Sequence, residues 1–160
     1  SWAATDISEI RNFYKLKKYI LLFPFCSPHL KIKKWPYYNN LIELISEKYA
    51  EDYKIVTAPG PSEINEATKI NAVALLDNGR ALDISQLTSL IKESSFVVSN
   101  DTGPAHITAH VGAKGLTLFG KHTTAYKVNI ERENFKAIEV EDLNNLSAEK
   151  VFERLSNSLL

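Results

Sequence analysis

One polar turn of the chain joins an apolar run to a stretch that is compatible with a helix. The run is Phe96-Val-Val-Ser99, the turn is Asp101-Thr-Gly103, and the helix is predicted to open at Pro104. The first N–H groups of a helix have no intrahelical partner, and the helix dipole adds about half a positive charge there. Gly103 leaves the backbone open to close approach, and proline at the first helical position gives up an N–H that would be unpaired anyway. The pattern therefore predicts a phosphate-binding turn.

Two polar side chains of the same segment, Asp101 and His106, limit the chemistry further. A carboxylate would repel a phosphate, so we expect Asp101 to accept neutral sugar hydroxyl groups, to cap the helix, or to do both. His106 and His110 have the spacing of a two-histidine metal pair, but the metalloprotease pattern requires a glutamate where Ile107 stands. We therefore predict no metal, a neutral His106 that bonds a phosphate or sugar oxygen, and a structural His110.

Two other turns carry charged residues that could meet the same ligand. Lys31, Lys33 and Lys34 precede a predicted helix, where a lysine can neutralise a phosphate as a point charge. The alternative is a solvated basic loop. Glu63 follows a Gly-Pro-Ser turn, where a carboxylate can accept two ribose hydroxyls, as in dinucleotide-binding folds. The alternative is a favourable charge at a helix N-terminus, worth ~0.3–1 kcal/mol, and without other evidence the alternative has the better support at both turns.

Other catalytic motifs are missing from the sequence. Cys26 and Ser27 have no visible histidine–acid partnership that would activate a nucleophile. The chain lacks an Asp-x-Asp motif, a Gly-x-Gly-x-x-Gly fingerprint and a Walker loop. If a diphosphate binds, Lys33 and the helix N-terminus would have to replace a metal ion. No cofactor is predicted.

Alternating strands and helices would bring these turns together. Strands are predicted at residues 19–23, 53–58, 72–76, 96–99, 116–119 and 137–140. Helices are predicted at 36–50, at 63–69 with Ser62 as its cap, after Asp83 with a capping box, from 104 and from 147. Short strands that are apolar on both faces predict an α/β Rossmann-like domain with a mostly parallel sheet between helices. Ligands bind such sheets beyond the carboxyl ends of the strands.

Composition limits the classes of function. The chain has 160 residues, of which 44% are hydrophobic and 24% charged, and its formal net charge is zero. This balance gives no electrostatic case for a nucleic-acid partner. The single cysteine excludes an internal disulfide and fits a reducing compartment. We expect residues 1–17 to be a linker or leading helix, residues 18–160 to be one binding domain, and the methionine-free chain to be a piece of a longer protein.

Three motifs together resemble a known family. The segment from Phe96 to Ala109, followed by Gly115-Leu-Thr-Leu-Phe-Gly120, resembles the C-terminal half of glycosyltransferase family 9, the ADP-heptose:lipopolysaccharide heptosyltransferases. Lys33-Lys-Trp-Pro36 looks like the family's Lys-x-Trp-Pro, and Gly60-Pro-Ser-Glu63 looks like its Gly-x-Pro-x-Glu loop, one residue shorter. The resemblance implies a GT-B architecture of two Rossmann-like domains. This chain would be the donor-binding domain, and the acceptor domain would be absent.

The resemblance also implies which residues bind the donor. Lys33 would contact the phosphate, Glu63 the ribose hydroxyls, and Leu82 would lie beside the adenine. Thr102 and Gly103 would give backbone N–H groups to the diphosphate. The full set is Ser27, Lys33, Glu63, Leu82, Asp101, Thr102, Gly103 and His106, with Asp101 and His106 near the sugar and phosphate. The catalytic base is expected on the missing domain, so none is predicted in this chain.

The implied reaction is a metal-independent, inverting sugar transfer, with ADP-heptose as the expected donor. The acceptor would be a lipopolysaccharide core or related surface glycan at the cytoplasmic face of the inner membrane, reached by peripheral association of the full enzyme. The isolated half should bind its donor weakly and catalyse little. The sequence departs from the family at 25–29, at Leu82 and at 121–122. These departures leave open a non-catalytic nucleotide- or partner-binding domain, and half of a sugar-nucleotide epimerase remains a further alternative.

Overall fold

A parallel sheet forms the centre of this computed structural model, which describes residues 5–26, 33–120 and 131–159. Its strands are β1 (Tyr19–Phe23), β2 (Lys54–Thr57), β3 (Val73–Ala74), β4 (Phe96–Asn100), β5 (Gly115–Phe119) and β6 (Phe135–Glu139). Within the described ranges the strand order is β3-β2-β1-β4-β5-β6, and neighbouring strands pair in parallel. The predicted α/β Rossmann-like class is confirmed. The order reverses between β1 and β4, the point at which such sheets bind ligands.

Helices cover both faces of the sheet. They are α1 (Ser8–Tyr14), α2 (Tyr38–Tyr49), α3 (Ile64–Ala67), α4 (Ile84–Glu93), α5 (Gly103–Val111) and α6 (Ala148–Leu159), with a short 3₁₀ turn at Leu143–Asn145. One hydrophobic core lies between the sheet and helices α2 and α6, and a second one includes residues of α1 and α4. No helix in the described part of the chain is long and apolar enough to cross a membrane.

The leading segment packs onto the sheet through helix α1. Ile7, Ile10 and Leu16 are buried in the second core. Arg11 forms an ion pair with Glu93 of α4 at 2.8 Å, which ties the leading segment to the other helix on that face. Residues 5–17 are therefore part of the same folded body as the sheet.

Two expectations about local structure are wrong. Strand β3 is shorter than predicted because the Tyr14 hydroxyl bonds both the N–H and the carbonyl group of Leu76, at 3.0 and 3.3 Å, in place of a neighbouring strand. Helix α3 is not capped by Ser62. Its N-cap position is Glu63, whose side chain makes no capping bond and instead accepts the Gly60 N–H at 2.8 Å.

The predicted cap of α4 is confirmed. The capping box of α4 is complete, since the Gln86 N–H donates to the Asp83 carboxylate at 2.8 Å and the Asp83 N–H donates to the Gln86 amide oxygen at 2.9 Å. Trp35 is a packing anchor with 1% of its surface exposed. Its indole N–H donates to the Leu146 carbonyl at 2.7 Å.

Gly115 marks the closest approach of β5 to β4. A Cβ atom at this position would lie 2.3 Å from the Val97 carbonyl oxygen, which is too short for a non-bonded contact between carbon and oxygen. We predict that Gly115→Ala lowers the free energy of unfolding by about 1–3 kcal/mol, because the two strands must separate. Urea unfolding measures this loss. Gly103→Ala is the matched control because its Cβ would meet no atom within 4 Å. Equal stability of both variants would contradict the prediction.

Candidate functional site

A pocket of about 260 Å³ lies beyond the carboxyl ends of β1, β2 and β4. This size is near the lower end of ligand pockets, roughly 300 Å³. Four residues predicted to bind a ligand line it: Glu63, Leu82, Thr102 and Gly103. The structure thus brings together residues that are up to 40 positions apart in the chain, as the sheet order requires. Ser27 lies outside the described residues.

The N-terminus of α5 opens into this pocket. Thr102 occupies the N-cap position in an extended conformation, and no side chain caps the helix. The Ala105 N–H donates to the Thr102 carbonyl at 3.0 Å, so it is already used. Gly103 faces open space, since a Cβ there would have no atom within 4 Å. The helix begins at Gly103, so Pro104 is its second residue and not its first. Proline is tolerated at this second position too, because an N–H there would also lack an intrahelical partner.

Asp101 is buried beside this turn and pairs with a lysine from another loop. The side chain of Asp101 is 6% exposed, and its carboxylate lies 3.5 Å from the Lys33 ammonium group. The alternative that Asp101 caps α5 is wrong, because Thr102 holds the N-cap position and no capping bond is made. The ion pair places the positive charge of Lys33 next to the turn that was predicted to bind phosphate. It also offsets the negative charge that would otherwise oppose an anion there.

The structure gives Lys33 and Lys34 different carboxylate partners. Lys34 does not turn toward Asp101 but forms an ion pair with Glu66 of α3. The loop after β1 is therefore attached to the turn after β4 through Lys33 and to the helix after β2 through Lys34. Lys33 is the one next to the predicted anion site. The alternative of a simply solvated basic loop is wrong for both residues, because each has a carboxylate partner.

Glu63 holds its own loop while it faces the pocket. One carboxylate oxygen accepts the Gly60 N–H at 2.8 Å, and the residue is half-buried. Helix α3 has only four residues, so its dipole gives the carboxylate little stabilisation. The arrangement leaves a half-buried carboxylate at the pocket wall, held by the Gly60 N–H and able to accept further hydrogen bonds.

The rest of the pocket wall is largely apolar. Leu82 comes from the segment that leads into α4, Leu87 comes from the first turn of α4, and Phe25 and Cys26 come from the loop after β1. Burial raises the pKa of the Cys26 thiol, an effect that the nearby Lys34 charge partly offsets. A raised thiol pKa is the opposite of what a cysteine nucleophile needs. The Leu82 and Leu87 side of this wall suits a flat, weakly polar group such as a nucleobase.

His106 and His110 lie on the outer side of α5. Both are exposed, and His106 is not among the residues that line the pocket. In the described ranges, no group of three His, Cys, Asp or Glu side chains could hold a metal ion.

Asn100 is the residue of this region that sequence reasoning missed. It ends β4, directly before Asp101, and it is fully buried. Its side chain bonds Tyr38 at 3.0 Å and reaches Trp35 and Phe25, both of the loop that follows β1. The only signal in the sequence was an amide side chain at the end of an apolar strand, a position that ordinarily holds another apolar residue.

Comparison with known proteins assigns the family. The model of glycosyltransferase family 9 (heptosyltransferase) matches residues 3–154. The chain belongs to this family, which confirms the resemblance noted in its sequence. No curated protein sequence matches the chain significantly.

Solved structures share the fold at low sequence identity. Escherichia coli heptosyltransferase WaaC with ADP-2-deoxy-2-fluoro heptose is 20% identical, with a TM-score of 0.72 over 89% of this chain and 44% of that one. A glycosyltransferase family 9 structure from Veillonella parvula DSM 2008 is 15% identical, with a TM-score of 0.77 over 99% and 51%. UDP-GlcNAc 2-epimerase from Methanocaldococcus jannaschii, in complex with UDP-GlcNAc and UDP, is 15% identical, with a TM-score of 0.62 over 98% and 43%.

This chain therefore spans about half the length of the solved structures that it resembles. At these identities the likeness establishes the fold alone. The epimerase half that we considered from the sequence has the same fold, but the family model assigns the chain to the glycosyltransferases.

Cys26 allows a direct chemical test of the pocket wall. Because burial raises the pKa of its thiol, we predict that Cys26 reacts with iodoacetamide more slowly than free glutathione at neutral pH. Its rate should keep rising at pH values above about 8.5, where the rate of an ordinary thiol levels off. Mass spectrometry over time measures the rate, and the single cysteine makes each addition unambiguous. The chain unfolded in urea is the control. A folded-state rate equal to that of glutathione would contradict the prediction.

Proposed function

We propose that this chain binds the donor, a nucleotide-diphosphate sugar, in a metal-independent glycosyltransferase that inverts the anomeric centre. The observation that carries the proposal is the pocket where the sheet order reverses. There the uncapped N-terminus of α5 lies next to the Lys33–Asp101 pair and opposite an apolar wall. A diphosphate needs N–H donors and positive charge, and a nucleoside needs an apolar surface and hydroxyl acceptors. One region of the chain offers both sets of contacts.

Each part of the donor has a proposed partner. The diphosphate accepts hydrogen bonds from the Thr102 and Gly103 N–H groups and meets the charge of Lys33. The carboxylate of Glu63 accepts the ribose hydroxyls. The adenine lies against Leu82. This division uses the half-buried Glu63 carboxylate and the open backbone of Gly103, both of which line the same pocket.

The transferred sugar lies toward Asp101 and His106 in this proposal. Asp101 would accept sugar hydroxyls while it keeps Lys33 in place, and His106 would reach in from the exposed side of α5. Ser27 is proposed as a further donor ligand from the loop after β1. ADP-heptose is the proposed sugar nucleotide, in line with the ADP-2-deoxy-2-fluoro heptose named for the E. coli relative.

The proposed reaction divides its work between two domains. The bond from the anomeric carbon to the diphosphate breaks, and a bond to the acceptor oxygen forms on the opposite face of the sugar. A base on the other domain takes the acceptor proton. This chain stabilises the negative charge that grows on the departing diphosphate through Lys33 and the N-terminus of α5, so a metal ion is not required. We propose a lipopolysaccharide core or related glycan as the acceptor, at the cytoplasmic face of the inner membrane.

A second candidate function is a non-catalytic nucleotide- or partner-binding domain. Phe25 and Cys26 form the pocket wall after β1, and neither side chain donates a strong hydrogen bond to a phosphate. This observation favours the second candidate, which differs from the first in predicting no discrimination between a sugar nucleotide and the bare nucleotide.

Calorimetric titration of the purified chain tests the proposal. We expect saturable binding of ADP and ADP-heptose with unchanged affinity when magnesium is removed, because the cationic groups of the site belong to the protein. UDP and GDP should bind more weakly. A preference for UDP or GDP would replace the proposed donor. No binding of any of these nucleotides would contradict donor binding by this chain.

The sugar-facing role of Asp101 is tested in the same titration. Asp101→Ala should weaken the binding of ADP-heptose more than that of ADP, because the variant removes an acceptor for sugar hydroxyls that ADP lacks. Equal losses for both ligands would contradict this role and favour the second candidate function.

The two neighbouring lysines allow a matched test of the phosphate site. We predict that Lys33→Ala weakens ADP binding by about tenfold, the effect of losing one charge-assisted contact. Lys34→Ala is the control, because Lys34 pairs with Glu66 away from the turn after β4. Both variants remove one positive charge from the same loop, so a general electrostatic effect would weaken both equally. Equal losses would contradict a specific contact between Lys33 and the diphosphate.

A further inference from the structure

Asn100 is a fully buried amide that contacts three other parts of the chain. Its Oδ1 atom accepts hydrogen bonds from the Tyr38 hydroxyl at 3.0 Å and from the Trp35 backbone N–H at 3.4 Å. Its Nδ2 atom donates to the Phe25 carbonyl at 3.5 Å. Two of these bonds are long, but all four residues are buried, and a buried polar group that loses its hydrogen-bond partner destabilises the fold.

The chemistry of the neighbours determines which way the amide points. The Trp35 N–H can only donate, and the Phe25 carbonyl can only accept. The amide oxygen must therefore face Trp35 and the amide nitrogen must face Phe25. Tyr38 supplies a second donor to that oxygen, and its pKa is raised well above the ordinary value, mainly by burial, so the hydroxyl keeps its proton. An asparagine meets these requirements, whereas an aspartate would offer no donor to Phe25.

These contacts link the two loops that form the anion site. Phe25 and Trp35 lie on either side of Lys33 in the sequence, and Trp35 is only two residues from it. Asn100 directly precedes Asp101, which pairs with Lys33. The indole of Trp35 is fixed independently by its bond to the Leu146 carbonyl. The loop that carries Lys33 is thus attached to the end of β4 at the residue where the phosphate-binding turn begins.

We propose that Asn100 is a positioning residue, which holds Lys33 beside the N-terminus of α5 by binding Phe25 and Trp35 at the end of β4. The inference rests on the proposed function, because it gives Asn100 a role in diphosphate binding through Lys33. Asn100 does not touch the ligand. Its effect is therefore confined to ligands that carry phosphate groups.

The test compares ADP with adenosine in a double-mutant cycle. Asn100→Ala should weaken ADP binding by about tenfold, as Lys33→Ala does, and leave adenosine binding within about twofold. In a Lys33→Ala background, Asn100→Ala should cost little further ADP affinity, because the residue through which it acts is already gone. Ser99→Ala is the matched control. Ser99 is the preceding buried polar residue of β4, and its hydroxyl has no hydrogen-bond partner among the described residues.

A milder variant separates positioning from folding. Tyr38→Phe removes one hydrogen bond from the Asn100 oxygen and keeps the aromatic packing against Trp35. It should produce a smaller loss of ADP affinity, again with adenosine unaffected. Thermal unfolding of each variant checks that the chain remains folded under the titration conditions, and Tyr38→Phe carries the test if Asn100→Ala does not fold.

The outcomes distinguish the inference from the function on which it rests. A wild-type chain that binds neither ADP nor adenosine would overturn the proposed function. A wild-type chain that binds ADP, with unchanged ADP affinity in both variants, would overturn only the role of Asn100. Fully additive losses in the cycle, or equal losses for ADP and adenosine, would also overturn it, because they would show a general structural effect.

Discussion

The parallel pairing of β1 with β4 is the constraint on which the candidate site depends. Phe23 and Ser99 are register partners, so the two strands end at nearly the same level of the sheet. From β1 the sheet continues to β2 on one side, and from β4 it continues to β5 on the other, so a ligand crevice is expected outside the ends of these two strands. Both strands are buried along their whole length, which explains their continuous apolar sequences. The site exists because the sheet order reverses there.

The crevice carries a negative as well as a positive side chain, unlike a site that binds only an anion. In the proposed function the N-terminus of α5 and Lys33 would attract a diphosphate, whereas the buried Asp101 carboxylate would oppose it. In the free chain, Asp101 neutralises Lys33 and keeps it at the site. A ligand with both phosphates and hydroxyl groups can satisfy all of these groups at once, and inorganic phosphate cannot. This balance is the physical reason to prefer a sugar nucleotide as the ligand.

The sequence predicted the features that depend on local pattern. The strand periodicity, the Asp83–Gln86 capping box and the turn after β4 are all read from residues close together in the chain. It could not predict contacts made between distant segments. Tyr14 shortens β3, and Asn100 joins β4 to the loop after β1. The different partners of Lys33 and Lys34 also depend on which loops become neighbours in space. The roles of the predicted residues in binding the donor remain predictions.

The most direct test of the central claim is a titration of the ¹⁵N-labelled chain with ADP, followed by amide chemical shifts. The backbone N–H groups of Thr102 and Gly103 should show large shifts that saturate with ADP, because they would donate to the diphosphate. Adenosine should shift residues of the apolar wall, such as Leu82, and leave these two amides nearly unchanged. Saturable ADP binding that leaves the Thr102 and Gly103 amides unmoved would contradict a phosphate site at the N-terminus of α5.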